Sequence, residues 1–260
     1  MLTSLALAAL PFFAVLQEPK SAPSAEKVAA TCDALEKALV KGAQKEDVAR
    51  ALRGALEVVD ARVIEVIDAK GLRSDDPETR DPAVEALGRM DHPDALKALH
   101  EALKRDRKEL QDAPPRYAAL LRAIARHGKE SSIPALVEDL FQSPDRGVIQ
   151  ARILGLGHIR STKSVEELIR LMRSAPRPRV SDHMETFRTA LVVLTGEDKG
   201  TDQELWINWY GDHKSKLEIA PEMPELPREL RRRWNVFWGE RDEEDEGEGA
   251  GKKRKGGKEK

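Results

Sequence analysis

An internal repeat constrains this chain more than any other feature. The stretches beginning at Ala55, Ala86, Ala123 and Gly155 align on one pattern: an apolar helix, a short polar turn, then a second apolar helix. The steps between them are 31, 37 and 32 residues, and a looser copy begins at Leu191. A period in the thirties with two helices per unit belongs to helix-pair solenoids, where no unit buries its apolar side alone and stacking supplies the core. Apolar residues recur at intervals of three and four, and no run of strict alternation suggests a half-buried strand. The expected fold class is all-α: an α-solenoid, or α-α superhelix, of about five helix pairs.

Local signals punctuate the repeat. Val28, Cys32, Leu35 and Leu39 form the stripe of a first helix closed by Gly42, and Val48, Leu52, Leu56 and Val59 line a second. Asp60 suits the cap of a third helix carrying Val63, Ile64 and Ile67 and ended by Gly71. Asp81-Pro82 reads as the next helix start, with a cap and then Pro at the first position. Ser164 with Glu167, and Thr201 with Glu204, have the spacing of capping boxes. The lone Cys32 reads as a small buried residue, the alternative being a thiol that pairs with another chain.

The fourth unit, residues 145–172, places Val148, Ala151, Leu154, Gly155 and Gly157 in its first helix, then a polar turn and an apolar second helix. This pattern resembles the bacterial HEAT repeat family, in the variety related to phycobilisome-lyase-type repeats. The resemblance extends over roughly residues 45–212, although the first unit lacks the Leu-Gly and residues 111–115 lengthen one linker. It implies helix pairs packed closely through small residues, with branched side chains filling the grooves. Residues 194–210 are similar to a terminal segment of exported bacterial HEAT proteins, which carries Trp pairs. Lyase activity does not follow from repeat resemblance alone. HEAT-fold hydroxylases that bind two irons need several His-Glu pairs, and this chain has one, His100-Glu101.

The ends read differently. Residues 5–16 are twelve residues without a charge, too short to span a bilayer, which needs about 20. With the polar stretch that follows, they predict a signal peptide over residues 1–17 and export to the periplasm, the cell envelope or the exterior, the alternative being a buried N-terminal helix. A linker at 18–24 precedes the repeat domain at 25–212, and a Pro-rich linker follows at 213–225. Over 226–239, Leu226, Leu230, Trp234, Phe237 and Trp238 fall on one helical face, with Arg228, Arg231, Arg232 and Arg233 largely off it. Residues 240–260 hold only charged residues, Gly and Ala, including an acidic run at 242–248 and a basic one at 252–255, and are expected to be disordered.

The search for chemistry finds little. With 44 Lys and Arg against 46 Asp and Glu, the net charge of −2 argues against a chain held to nucleic acid by its overall field. One cysteine excludes a disulfide scaffold and a multi-thiolate metal site. His92, His127 and His158 fall in or beside the turns of successive units and read as exposed turn residues, without metal-ligand spacing. No nucleophile elbow, phosphate loop or dinucleotide loop occurs, so no catalytic, metal or cofactor residue is expected.

The expected function is a scaffold for an unidentified protein partner, using second-helix positions such as Lys97, Glu101, Lys104, Glu138, Glu166 and Arg170. Two alternatives stand beside it. One is an enzyme or ligand-binding subunit using the aromatic C-terminal region; the other is membrane-surface association through the Arg/Trp helix. The candidate interaction residues are Trp206, Trp209 and Tyr210, which share a helical face and suit a solenoid cap, together with Arg231, Arg232, Trp234, Phe237 and Trp238.

Overall fold

A computed structural model describes residues 22–240. The predicted signal peptide and charged tail lie outside the described residues. Among the described residues the chain is all helix and loop, in the order the repeat requires. Helix α1 (Ala25–Ala38) leads into α2 (Lys45–Ala55), and α3 (Ala61–Val66) continues as a π-helical turn over Ile67–Leu72. Then come α4 (Pro77–Arg89), α5 (Pro93–Arg105), α6 (Arg107–Asp112), α7 (Pro114–Arg126), α8 (Ile133–Val137), α9 (Arg146–His158) and α10 (Thr162–Ser174). Helices α11 (Arg177–Ser181), α12 (Met184–Thr195), α13 (Gln203–His213) and α14 (Arg228–Trp238) complete the chain.

The helices form two layers. Helices α2, α4, α7, α9 and α12 are the first members of five successive pairs, and neighbours in that series pack directly on one another. The π-extended α3, then α5, α8, α10 and α13, are the second members. Helix α1 covers α2 and α3 at the N-terminal end. The expected α-solenoid of stacked pairs is the observed architecture.

Small residues set the spacing of the first layer. A Cβ placed on Gly88 of α4 would sit 2.8 Å from the Cα and Cβ of Ala123 on α7. One on Gly157 of α9 would sit 2.9 Å from the same atoms of Ala190 on α12. One on Gly155 would meet Ala125 Cβ at 2.9 Å. Backbones therefore meet almost directly at these crossings, which lets the branched side chains on either side interlock. The resulting core falls into two clusters, which share only the half-buried Leu103 and Tyr117.

Polar groups stitch the pairs together. His127 Nε2 donates to the Leu87 carbonyl at 3.1 Å, and the Arg160 guanidinium reaches the Val193 carbonyl at 3.0 Å. Gln203 Nε2 donates to the Met172 carbonyl at 2.8 Å. Each bond reaches a carbonyl in the last turn of a helix in the preceding or following unit, where intrahelical partners run out.

Helix α14 folds back across the first layer. Its buried Leu230, Trp234 and Trp238, with Leu226 just ahead of the helix, turn towards the solenoid, and Phe237 is half-buried beside them. Arg122 and Arg126 of α7 donate to the carbonyls of Phe237 and Trp238 at 3.2 and 2.7 Å. His158 of α9 lies 4.5 Å from the Trp238 ring, and Arg233 pairs with Glu185 of α12 at 3.0 Å. The strap thus touches three consecutive first helices, its C-terminal carbonyls held by cations that favour that end of the helix dipole.

Three helix starts differ from expectation, each for a local reason, and α2 ends at Ala55, short of the expected Leu56 and Val59. Helix α4 starts five residues early: Asp76 caps it by accepting from the Glu78 N–H, and Pro77 takes the first position, so Pro82 lies inside. Asp76-Pro77 supplies the same cap-then-Pro signal as Asp81-Pro82, and the earlier one wins. Ser161, not Ser164, caps α10 by accepting from Lys163 N–H, and Ser164 is buried in the first turn. Asp202, not Thr201, caps α13.

Candidate functional site

The repeat is broken at one place. Helix α8 has five residues, preceded by a 3-10 turn over Glu130–Ser132, whereas its counterparts α5 and α10 have thirteen each. The sequence that follows, Glu138-Asp-Leu-Phe141, has no helix breaker, yet the backbone leaves the helix at Glu138, and Asp139 takes the left-handed conformation at φ 52°. A non-glycine residue there costs of order 1 kcal/mol, so the surroundings impose it.

Arg152 is what imposes it. This residue sits in the middle of α9 and is 4% exposed, where a long charged side chain is rare. Its Nη1 donates to the carbonyls of Ala135, Leu136 and Glu138, at 3.0 and 3.1 Å for the first two, and its Nη2 donates to the Tyr117 hydroxyl. The guanidinium also lies 5.3 Å from the Tyr117 ring centroid. It satisfies the carbonyls that a longer α8 would have bonded internally, and so stabilises the truncated helix end. Burial pushes the guanidinium below its ordinary pKa, against the opposing pull of Tyr117, Glu138 and Asp139. An arginine stays charged even so.

The truncation opens the second layer. A groove of about 610 Å³ runs between α5 and α8, lined by His100, Leu103, Lys104, Arg107, Tyr117, Pro134 and Val137 among others. It continues past His100 and Ser131 into a second hollow of about 650 Å³ reaching Asp91, Lys97 and Lys129. Through Arg107 and Tyr117 it adjoins a narrower pocket of about 250 Å³, walled by Arg152, Gln111, Gln142 and Asp139. Arg107 grips Glu138 at 2.8 Å and Asp139 at 3.0 Å. Among the described residues, Lys97, Lys104 and Lys129 take no carboxylate partner. The two apolar clusters of the core also meet here, at Leu103 and Tyr117.

The histidines around the groove have structural work. His92 Nδ1 accepts from the Asp94 N–H at 3.2 Å, capping α5. His100 Nε2 bonds the hydroxyl of the fully buried Ser132 at 3.0 Å. His92, His127 and His158 are half-buried, not exposed turn residues as the sequence suggested. Burial pushes the pKa of His127 and His158 down. The reason is the close spacing of successive units, which brings each ring onto the helix-end backbone of the unit before it. Among the described residues, no group of three His, Cys, Asp or Glu is placed to hold a metal ion.

The residues singled out from sequence lie elsewhere and divide into two groups. Trp206, Trp209 and Tyr210 sit on α13 at the end of the second layer. Trp206 is fully buried with its Nε1 donating to the Gly200 carbonyl at 2.8 Å, and Trp209 packs edge-on to it at 5.9 Å. Trp209 stacks on His213 at 5.2 Å, and Tyr210 is half-buried. Trp234, Phe237 and Trp238 belong to the strap on the first layer, and their side chains turn towards the solenoid. Arg231 is half-buried and Arg232 is exposed. None of these eight residues lines the groove, the hollow or the narrow pocket. The apolar face that a membrane surface would require is already spent on α7, α9 and α12.

Of the second-helix positions, Lys97, Lys104 and Glu138 border the hollow or the groove, Glu138 from just beyond the end of α8. Sequence reasoning missed Arg152, Tyr117 and Arg107. The one available signal was a lone Arg on the otherwise apolar run of α9.

Fold and site together define a helical repeat protein: stacked helix pairs forming a solenoid whose second layer opens at the third pair. Residues 80–105, which take in most of α4 and all of α5, match the family model of the PBS lyase HEAT-like repeat. A HEAT-like repeat therefore forms the second pair and one wall of the groove. No curated protein matches the chain.

Proposed function

We propose that this chain is a non-catalytic HEAT-type scaffold, exported from the cytoplasm, that binds a segment of a protein partner in the groove between α5 and α8. The observation that carries this reading is the truncation of α8. It opens the second layer over apolar Leu103, Tyr117 and Val137, with Lys104 at the rim taking no carboxylate partner among the described residues. Open, mixed grooves on a rigid solenoid suit an extended segment better than a small substrate, which needs an enclosed cleft with convergent titratable groups. His100, the histidine lining the groove, is bonded to a serine that is fully buried, out of reach of a substrate. The uncharged run at residues 5–16 supports export.

The test places a photo-crosslinking residue at Lys104 or at Val137, with a control at Arg50 on the first layer. A partner captured from both groove positions and not from Arg50 is expected; equal capture at all three would overturn the reading. N-terminal sequencing of the protein recovered from cells tests export, with a start near residue 18 expected and an intact Met1 counting against it.

A further inference from the structure

We propose that the narrow pocket beneath the groove binds a carboxylate group carried by the partner segment, an inference that rests on the scaffold reading above. Arg152 lines this pocket and is almost fully buried, and among the described residues its Nε has no hydrogen-bond partner. Every acceptor it does contact is neutral: three backbone carbonyls and one phenol. A buried cation without a contacting anion is costly, and in a low-dielectric setting it attracts an anion far more strongly than a surface lysine does. The nearest carboxylates, Glu138 and Asp139, have side chains 56% and 44% exposed and are both engaged by Arg107. Water screens them more than it screens the buried guanidinium, and Arg107 adds a second positive charge to the same pocket.

Donors for the second half of a carboxylate stand at the pocket mouth. Tyr117 lines both pocket and groove. Its hydroxyl oxygen accepts from Arg152, which leaves its own O–H to donate and makes it a stronger donor. Arg107 and Gln142 line the same pocket. One ligand oxygen takes the Tyr117 O–H and the other takes Arg107, which releases Asp139 to water. Arg152 acts at longer range, as the fixed charge behind them. The segment's apolar part lies on Leu103 and Val137 in the adjoining groove.

The experiment is side-chain NMR on the full ¹⁵N-labelled chain, following the Arg152 Nε–H and Arg107 Nε–H signals. The first probe is sodium acetate against sodium chloride at equal ionic strength. Three capped tripeptides follow: one ending in a free α-carboxylate, one amidated with a central Glu, and one amidated without a carboxylate. A saturable shift is expected with acetate and with at least one carboxylate peptide, and none with chloride or the third peptide; the first two peptides distinguish a chain terminus from an acidic side chain. Tyr117→Phe and Arg107→Gln should each weaken binding by about tenfold, the size of one lost hydrogen bond to a charged group. Shifts that never saturate, or that match between acetate and chloride, overturn the proposal, as does unchanged binding in both variants. Partner capture at Lys104 and Val137 without any carboxylate dependence would overturn this inference alone. Carboxylate binding without partner capture would overturn the scaffold reading alone.

Discussion

Gly157→Ala tests the packing of the solenoid most directly. The added methyl would sit 2.9 Å from both the Cα and the Cβ of Ala190, and 3.4 Å from its carbonyl oxygen. Non-bonded carbons rest at about 3.5–4.0 Å, so α9 and α12 must separate by about half an ångström or more. The obstacle is backbone, not the end of a flexible side chain, so rotamer changes cannot relieve it. Overpacking of this kind costs about 1–3 kcal/mol, while replacing a helical glycine by alanine returns about 1 kcal/mol. The net expectation is a loss of up to about 2 kcal/mol. Gly211→Ala is the control, because a Cβ there meets nothing within 4 Å. It should gain about 0.5–1 kcal/mol through helix propensity alone. Urea unfolding followed by far-ultraviolet circular dichroism reads both: at a slope of about 2 kcal/mol per molar, the first midpoint falls by up to about 1 M and the second rises by about 0.25–0.5 M. Adding Ala190→Gly to Gly157→Ala should recover part of the loss, since it removes one of the colliding atoms. Two midpoints that both rise would refute the close-crossing account of the first layer.

Further expectations follow from the site and the strap. Arg152→Met leaves the carbonyls of Ala135, Leu136 and Glu138 without their donor and should cost about 3 kcal/mol in the same assay; a loss under about 0.5 kcal/mol would show that the guanidinium does not hold the end of α8. Trp238→Ala should loosen the strap, read as faster trypsin cleavage at Lys216 and Arg228 with the solenoid fragment left intact; unchanged cleavage would count against docking. Burial lowers the pKa of His100, His127, His158 and His183, so the folded state keeps them neutral while the unfolded chain binds protons below about 6.5. Stability should therefore be flat above that value and fall as the pH drops towards 5, and a urea midpoint that rises on acidification would contradict the assignment.

The first layer was legible in the sequence because close helix crossings leave a compositional trace: Gly88, Gly155 and Gly157 recur with Ala at the same point of successive units. Helix starts were legible only to within a few residues. Asp76 and Asp81 both precede a proline, and Ser161 and Ser164 both suit a cap, so the choice falls to tertiary packing. The groove was not legible. Residues 138–141 carry helix-compatible side chains, and what ends α8 is Arg152, fourteen residues from Glu138 and on another helix. The aromatic residues drew attention because Trp is rare and large, and in this fold that size serves the closing of an end and the docking of a strap.

The strap has a mechanical consequence. Linear arrays of repeats usually fray from their termini, since an end unit has one neighbour and an inner unit has two. Helix α14 gives the last three pairs a shared tie, so none of them opens without breaking contacts to the others. Among the described residues, the pairs built on α2 and α4 have no such brace beyond α1. Native-state hydrogen exchange should therefore find the amides of α2 and α3 opening at lower free energy than those of α12, with melting proceeding inward from the N-terminal side.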